Sequence, residues 1–208
     1  MSPAHALARP GGFRHVVVVS GHVTDAPDRT SERFPERAVP AVEHAISKLF
    51  EMWDLGPLDL LVCGGARGAD LLAARLASTR GTTVWLMLAA EPEAFERTSV
   101  SGAETHWVDA FWRGVQRSPA WVLGRDSRFA DREDVFAAAN EWMLETALTQ
   151  ATGSRVRVVA VWDRAPAAGS GGTGHMIEVA GEAGAEIVVI DPITGETASS
   201  PGPSAVGR

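Results

Sequence analysis

The stretch "VCGGARGADLLAARLA", Val62–Ala77, sets an apolar run against two glycines, an arginine and an immediate helical pattern. Gly64 and Gly65, at the end of a strand, permit positive φ and leave no Cβ in the way of a ligand. Gly68, Ala69 and Asp70 begin the helix, whose first N–H groups lack intrahelical acceptors and favour an anion. Arg67 beside them can add a bidentate clamp on phosphate or carboxylate. The competing structural reading is a strand-to-helix turn with a solvated Arg67 and with Asp70 as the helix cap. The Gly-Lys-Ser/Thr ending of a Walker A loop is missing, which argues against ATP hydrolysis of that type. Cys63, next to the turn, reads as a buried and inert thiol.

Outward from this turn the same step repeats. Strand candidates are His15–Ser20, Leu58–Cys63, Thr83–Leu88, Ala120–Leu123, Arg155–Trp162 and Glu186–Ile190. They are rich in Val and Leu and mostly lack alternation, as strands buried on both faces of a parallel sheet do. Between them, Val42, Ala45, Ile46, Leu49, Phe50 and Trp53 recur at helical spacing, as do Trp107, Val108, Phe111, Trp112 and Val115. Val135, Ala139, Trp142, Met143 and Thr146 form a third stripe. Six strands alternating with helices imply a single α/β domain: a doubly wound sandwich around a mostly parallel six-stranded sheet, with helices on both faces. The domain is expected over residues 13–192, with flexible tails at 1–12 and 193–208. Right-handed crossovers then gather all strand C-terminal ends on one edge, where ligands of such folds bind.

Bulk properties narrow the function. The chain has 208 residues, 45% of them hydrophobic, and a formal net charge of -7. That charge argues against broad nucleic-acid or acidic-membrane binding, though it leaves room for a local anion site. Lys48 is the one lysine among 19 basic residues, so each arginine is discounted as a functional clue. A single cysteine allows no intrachain disulfide and fits a cytoplasmic location. The first residues lack the apolar core of a signal peptide, and no apolar run is long enough to span a membrane.

The remaining loops at the predicted edge supply further candidates. Gly21 allows a sharp turn after the first strand, with His22 and Asp25 behind it; Asp25 reads best as a turn acceptor. Thr98 and Ser99 can hydrogen-bond a sugar or phosphate, and Phe95 can stack on a base or cover the core. Asn140, on an apolar helix face, needs a partner, either a ligand or the commoner backbone carbonyl. In "AGSGGTGHMIEVA", Gly171, Gly172, Thr173, Gly174 and His175 form a second glycine turn entering a helix, and Glu178 follows one helical turn later. Gly169, Gly171 and Gly174 also spell G-x-G-x-x-G with Asp191 about twenty residues on. That dinucleotide signal is weak, because six residues separate it from its strand and it follows the fifth strand instead of the first. A metal held by His22, Asp25 and His175 would need ligands from separated loops to converge, and no metal or cofactor is expected.

Taken in order, "SGHVTDAP", "GGARGAD", "EAFERTSV", "ANEWMLETAL" and "VWDRAPAAGSGGTGHMIEVA" resemble a Rossmann-like branch of the SLOG superfamily. That superfamily includes the Lonely Guy phosphoribohydrolases, the DprA proteins and sensor domains for nucleotide-derived signals. The Lonely Guy motif P-G-G-x-G-T-x-x-E is matched by Gly171, Gly172, Gly174 and Glu178, with Ser170 in place of the Pro and His175 in place of the Thr. The resemblance implies that these glycines hold a phosphate and that Glu178 acts at an N-glycosidic bond. The arginine which partners that Glu has no clear match; Arg128 and Arg132 are nearest in order. The expectation is therefore a domain that binds a nucleotide or nucleotide-derived phosphorylated ligand. The alternative is a hydrolase of N-glycosyl bonds in nucleoside monophosphates. DprA-like binding of single-stranded DNA is disfavoured by the acidic charge. The resemblance also implies a homodimer.

Overall fold

The computed structural model describes residues 12–125, 134–151, 153, 155–165 and 171–200. Seven strands form one sheet: β1 (Val16–Gly21), β2 (Leu60–Cys63), β3 (Thr83–Leu88), β4 (Ala120–Val122), β5 (Val156–Val161), β6 (Glu186–Ile190) and β7 (Thr197–Ser200). Their order is β4-β3-β2-β1-β5-β6-β7. Every pair is parallel except β6 with β7.

The helices are α1 (Val39–Met52), α2 (Ala69–Thr79), α3 (His106–Arg117), α4 (Val135–Gln150) and α5 (Thr173–Glu182). Short helical turns at Glu36–Ala38, Pro92–Phe95 and Leu123–Arg125 and a π-helical turn at Glu96–Val100 complete the helical segments among the described residues. Val17, Val19, Leu61 and Cys63 face the core beneath α1, α2 and α3. Their neighbours Val16, Val18, Leu60 and Val62 face the other core, beneath α4 and α5. Both faces are dry, so both sets of alternating side chains must be apolar, which is why the strands show no polar period. Of the stripe on α1, Val42, Ala45, Ile46, Leu49 and Phe50 are buried as its spacing requires. The stripe on α4 begins less deeply, with Val135 exposed at its first turn.

The six expected strands are all present, and a seventh joins them from residues assigned to the C-terminal tail. Asp191 makes this possible. Its Oδ1 accepts N–H bonds from Ile193 (2.9 Å) and Thr194 (2.8 Å), and Gly195 at φ +72° closes the turn into β7. Asp191 is thus a hairpin-turn acceptor, outside any dinucleotide fingerprint. Gly169 and Ser170 of that same stretch, and Arg128 and Arg132, lie outside the described residues.

The strand order reverses between β1 and β5: the chain builds outward from β1 to β4, then returns to lay β5 on β1's other side. Loops leaving those two strands must part in opposite directions, opening a crevice at their C-terminal ends. No helix among the described residues is long and apolar enough to cross a membrane.

Candidate functional site

A cavity of about 330 Å³ occupies that crevice. Its walls come from the end of β1 (Ser20, Gly21, His22), the turn after β2 (Gly64, Ala66, Asp70), the segment after β3 (Phe95, Thr98, Ser99), α4 (Phe136, Ala139, Asn140, Met143) and the turn into α5 (Gly171, Gly172, Thr173). Two glycine turns about a hundred residues apart in the chain therefore meet across one cleft. The π-helical turn at Glu96–Val100 supplies Thr98 and Ser99 to the rim; such turns recur at functional sites.

The two turns are unlike in what they offer. At the turn after β2, Ala66 donates its N–H to Asp70 Oδ2 at 3.2 Å, and the amides of Gly64 and Gly65 also bond this carboxyl group. Asp70 is 6% exposed. Burial pushes its pKa up to about 7, against the opposing pull of the three amides. The backbone donors expected to hold a ligand oxyanion are thus held by the chain's own carboxyl group. Gly65, at φ +82°, faces Leu88 and Phe111 in the core. Gly68, at φ +85°, has no room for a Cβ, which would lie 2.8 Å from the His22 carbonyl oxygen. That close approach seats α2 beneath the loop after β1, and neither glycine lines the cavity.

Arg67 differs most from the expected clamp. It is 9% exposed and lies outside the cavity wall. Its Nε donates to the Thr24 carbonyl oxygen at 3.0 Å and its Nη1 to that of Ser101 at 2.7 Å. It ties two loops together instead of facing a ligand, because those carbonyls, the Thr24 one buried, have no strand or helix partner and need a donor.

The turn into α5 is open. The helix has no side-chain cap, and among the described residues no acceptor is found for the amides of Thr173 and Gly174. Gly172 and Thr173 line the cavity, so the positive end of α5 points at it. Asn140 holds this turn in place: its Nδ2 donates to the carbonyl oxygens of Gly171 (2.9 Å) and Gly172 (3.2 Å). Its partner is thus the backbone, although Asn140 also reaches the cavity wall. Gly171, at φ +88°, packs so closely on α4 that a Cβ would sit 2.1 Å from Ala137 N. A Cβ on Gly174 would come 3.4 Å from the Trp162 ring, an ordinary contact. His175 lies just behind, with Nδ1 3.3 Å from Asn140 Nδ2, and does not line the cavity.

Glu178 is exposed and outside the cavity wall. The buried face of α5 runs through Thr173, Met176 and Ala180. At about 100° per residue, Glu178 lies roughly 160° from Met176 around the helix, on the solvent side.

A charged cluster at the lip was missed by sequence reasoning. Arg33 makes a two-point ion pair with Asp163 (2.7 and 3.0 Å), and His22 Nε2 lies 2.8 Å from Asp163 Oδ1. The Arg33 guanidinium holds the Asp163 carboxyl well below the usual carboxylate range, with help from His22. Burial holds His22 below the ordinary imidazole value, against the pull of Asp163. Asp163 was detectable in principle as a carboxylate just past β5 on the ligand edge. Arg33 was hidden by the general discount on arginines. Asp25 accepts N–H bonds from Arg33 (2.9 Å) and Phe34 (3.1 Å), the turn role read for it. Phe95 is buried and stacks on Phe111 with ring centroids 5.8 Å apart. No group of three or more His, Cys, Asp or Glu among the described residues could hold a metal ion.

Of the candidate ligand residues, Gly21, His22, Gly64, Asp70, Thr98, Ser99, Asn140, Gly171, Gly172 and Thr173 therefore share the cavity, while Gly65, Arg67, Gly68, Gly174 and His175 stand behind it.

No family model and no curated protein matches the chain. Solved structures similar to it include the Moco carrier protein of Chlamydomonas reinhardtii, with 16% identity, TM-score 0.42, and coverage of 84% of this chain and 75% of that one. A structural-genomics target, TM1055, has 17% identity, TM-score 0.45, and coverage of 83% and 72%. The DNA processing protein A (DprA) of Streptococcus pneumoniae has 15% identity, TM-score 0.37, and coverage of 85% of this chain but 58% of that one.

Proposed function

We propose that the cavity binds a small nucleotide or nucleotide-derived phosphorylated ligand, its phosphate on the N-terminus of α5. The observation that carries this reading is the uncapped start of α5 at the cavity, with Gly172 and Thr173 in the wall and Asn140 bracing the turn. A helix start with unpaired amides favours an anion. In the same cavity wall, Met87, Ala89, Ala139 and Met143 offer an apolar surface suited to a base. About 330 Å³ lies at the small end of the roughly 300–1,000 Å³ range of small-molecule sites. The chain's net charge of -7 disfavours a nucleic-acid strand as ligand. A cytoplasmic location accords with the buried free thiol of Cys63.

The hydrolase alternative assigned its chemistry to Glu178, whose solvent-facing position removes the carboxylate from the cavity; it is not adopted. Thermal unfolding in a nucleotide panel tests the binding reading. AMP, set against adenosine and against inorganic phosphate, is expected to raise the melting temperature in a concentration-dependent way. A panel of nucleotides that leaves the transition unmoved at millimolar concentration rejects it.

A further inference from the structure

Asp70 occupies the place that a ligand oxyanion was expected to take. Its carboxyl group accepts the amides of Gly64, Gly65 and Ala66, and it lines the cavity at the turn after β2. Among the described lining residues it is the only Asp or Glu. Gly64 makes room for it, since a Cβ there would stand 3.0 Å from Asp70 Oδ2. The donors of this turn are consequently satisfied from within, and a second oxyanion brought to them would meet a carboxyl group in a water-poor setting. The α5 side is the reverse: among the described residues, the amides of Thr173 and Gly174 have no acceptor and no carboxylate lines the wall there. One end of the cavity thus attracts negative charge and the other refuses it.

We propose that Asp70 is a specificity-determining residue of this cavity: it bars a second anionic group from the β2 side and admits ligands with one anionic end, seated at α5. The inference rests on the phosphate seat proposed above. The remaining titratable groups near Asp70 do not supply a compensating charge. Cys63, at the end of β2, holds its sulfur 3.7 Å from the Asp70 carbonyl oxygen, and burial pushes its thiol up and keeps it neutral. His22, from the loop after β1, is held below its usual pKa by burial and is mostly neutral at pH 7. Arg33, from the same loop, carries a charge that Asp163 already engages at two points. Asp70, with its pKa pushed up to about 7, is therefore the cavity group whose charge changes near neutrality.

The test compares AMP with adenosine 3′,5′-bisphosphate by calorimetric titration at constant ionic strength. One carries a single phosphate; the other carries two, on opposite sides of the same ribose. At pH 8 the wild-type protein is expected to bind the bisphosphate at least tenfold more weakly than AMP. In Asp70→Asn, which keeps the shape and removes the charge, that gap is expected to shrink to within threefold. If the variant does not fold, the wild-type gap itself serves: it is expected to narrow from pH 8 to pH 6 as Asp70 gains a proton. Phosphate monoesters also titrate near pH 6, so the pH comparison is repeated with the corresponding 5′-sulfate and 3′,5′-bissulfate esters of adenosine, whose charge is constant over this range. A gap that persists unchanged in Asp70→Asn, or that does not respond to pH, overturns the role of Asp70 while leaving the phosphate seat standing. Failure of AMP itself to bind overturns the proposed function and this inference together.

Discussion

Asp70 makes the stability of the ligand-free protein depend on pH in a direction unusual for a carboxylate. Its pKa stands at about 7 in the fold against 3.8 for the free side chain. Between those values the folded protein keeps a proton that the unfolded chain has released. Stability therefore falls as pH rises through this window and levels off above about pH 7. Roughly two of the three units of difference lie between pH 5 and pH 8, which corresponds to a loss of about 2.5 kcal/mol. For a domain of this size, that is on the order of 5–10 °C in melting temperature. Other groups titrate in the same range with the opposite sign. His15 and His22 have lowered pKa values, so the unfolded chain binds their protons more readily and stability rises with pH near 6. Asp163, held low by Arg33, contributes stability that is lost only in strong acid. The quantity to measure is thus a difference: urea unfolding of wild type and of Asp70→Asn at pH 5, 6, 7 and 8. The wild-type free energy is expected to fall relative to the variant by about 2.5 kcal/mol across the series. Parallel curves for the two proteins would mean that Asp70 titrates as an ordinary carboxylate, and its burial against three amides would then be misread.

Further substitutions probe the rest of the site. Gly171→Ala forces an L side chain to φ +88° and a Cβ to within 2.4 Å of Phe136 C, so a loss of about 3 kcal/mol is expected from denaturant midpoints. A loss below about 1 kcal/mol would show that α4 and the turn into α5 are not in that contact. Arg67→Ala strands the carbonyl oxygens of Thr24 and Ser101 and is expected to cost about 2–4 kcal/mol. Its nucleotide affinity, measured well below the melting temperature, should stay within twofold of wild type, whereas a tenfold loss would restore Arg67 as a ligand clamp. Glu178→Gln changes an exposed side chain outside the cavity and is expected to shift stability by less than about 0.5 kcal/mol. Any release of free base from nucleoside monophosphates that this variant abolished would return the hydrolase reading to consideration.

Much of the architecture was legible in the residues because it depends on local periodicity. Runs such as Val16–Val19 and Leu60–Cys63 carry no polar positions, and a strand without them has to be covered on both faces. The spacing of Val42, Ile46, Leu49 and Phe50 does the same for α1. The two glycine turns were visible as composition, and the parallel connections sent both to one edge. What each turn does was not visible. Whether the amides of Gly64–Ala66 meet a ligand or Asp70 depends on a rotamer and on burial, and nothing in a linear pattern encodes either. Likewise, Glu178 matched a motif by position while its helix turned it to solvent.

The chain by itself determined the alternation of strands and helices, the edge on which the loops collect, and the glycines that let backbone approach backbone there. Those follow from side-chain polarity and φ restrictions, which act over a few residues. Tertiary structure alone decided that β5 lies against β1, that Arg33, His22 and Asp163 come together, that Arg67 faces carbonyls, and that Asp70 fills one turn while the start of α5 stays open. Each of those outcomes pairs groups distant in sequence. Their energies come from contact and desolvation, which exist only once the fold has brought the groups together.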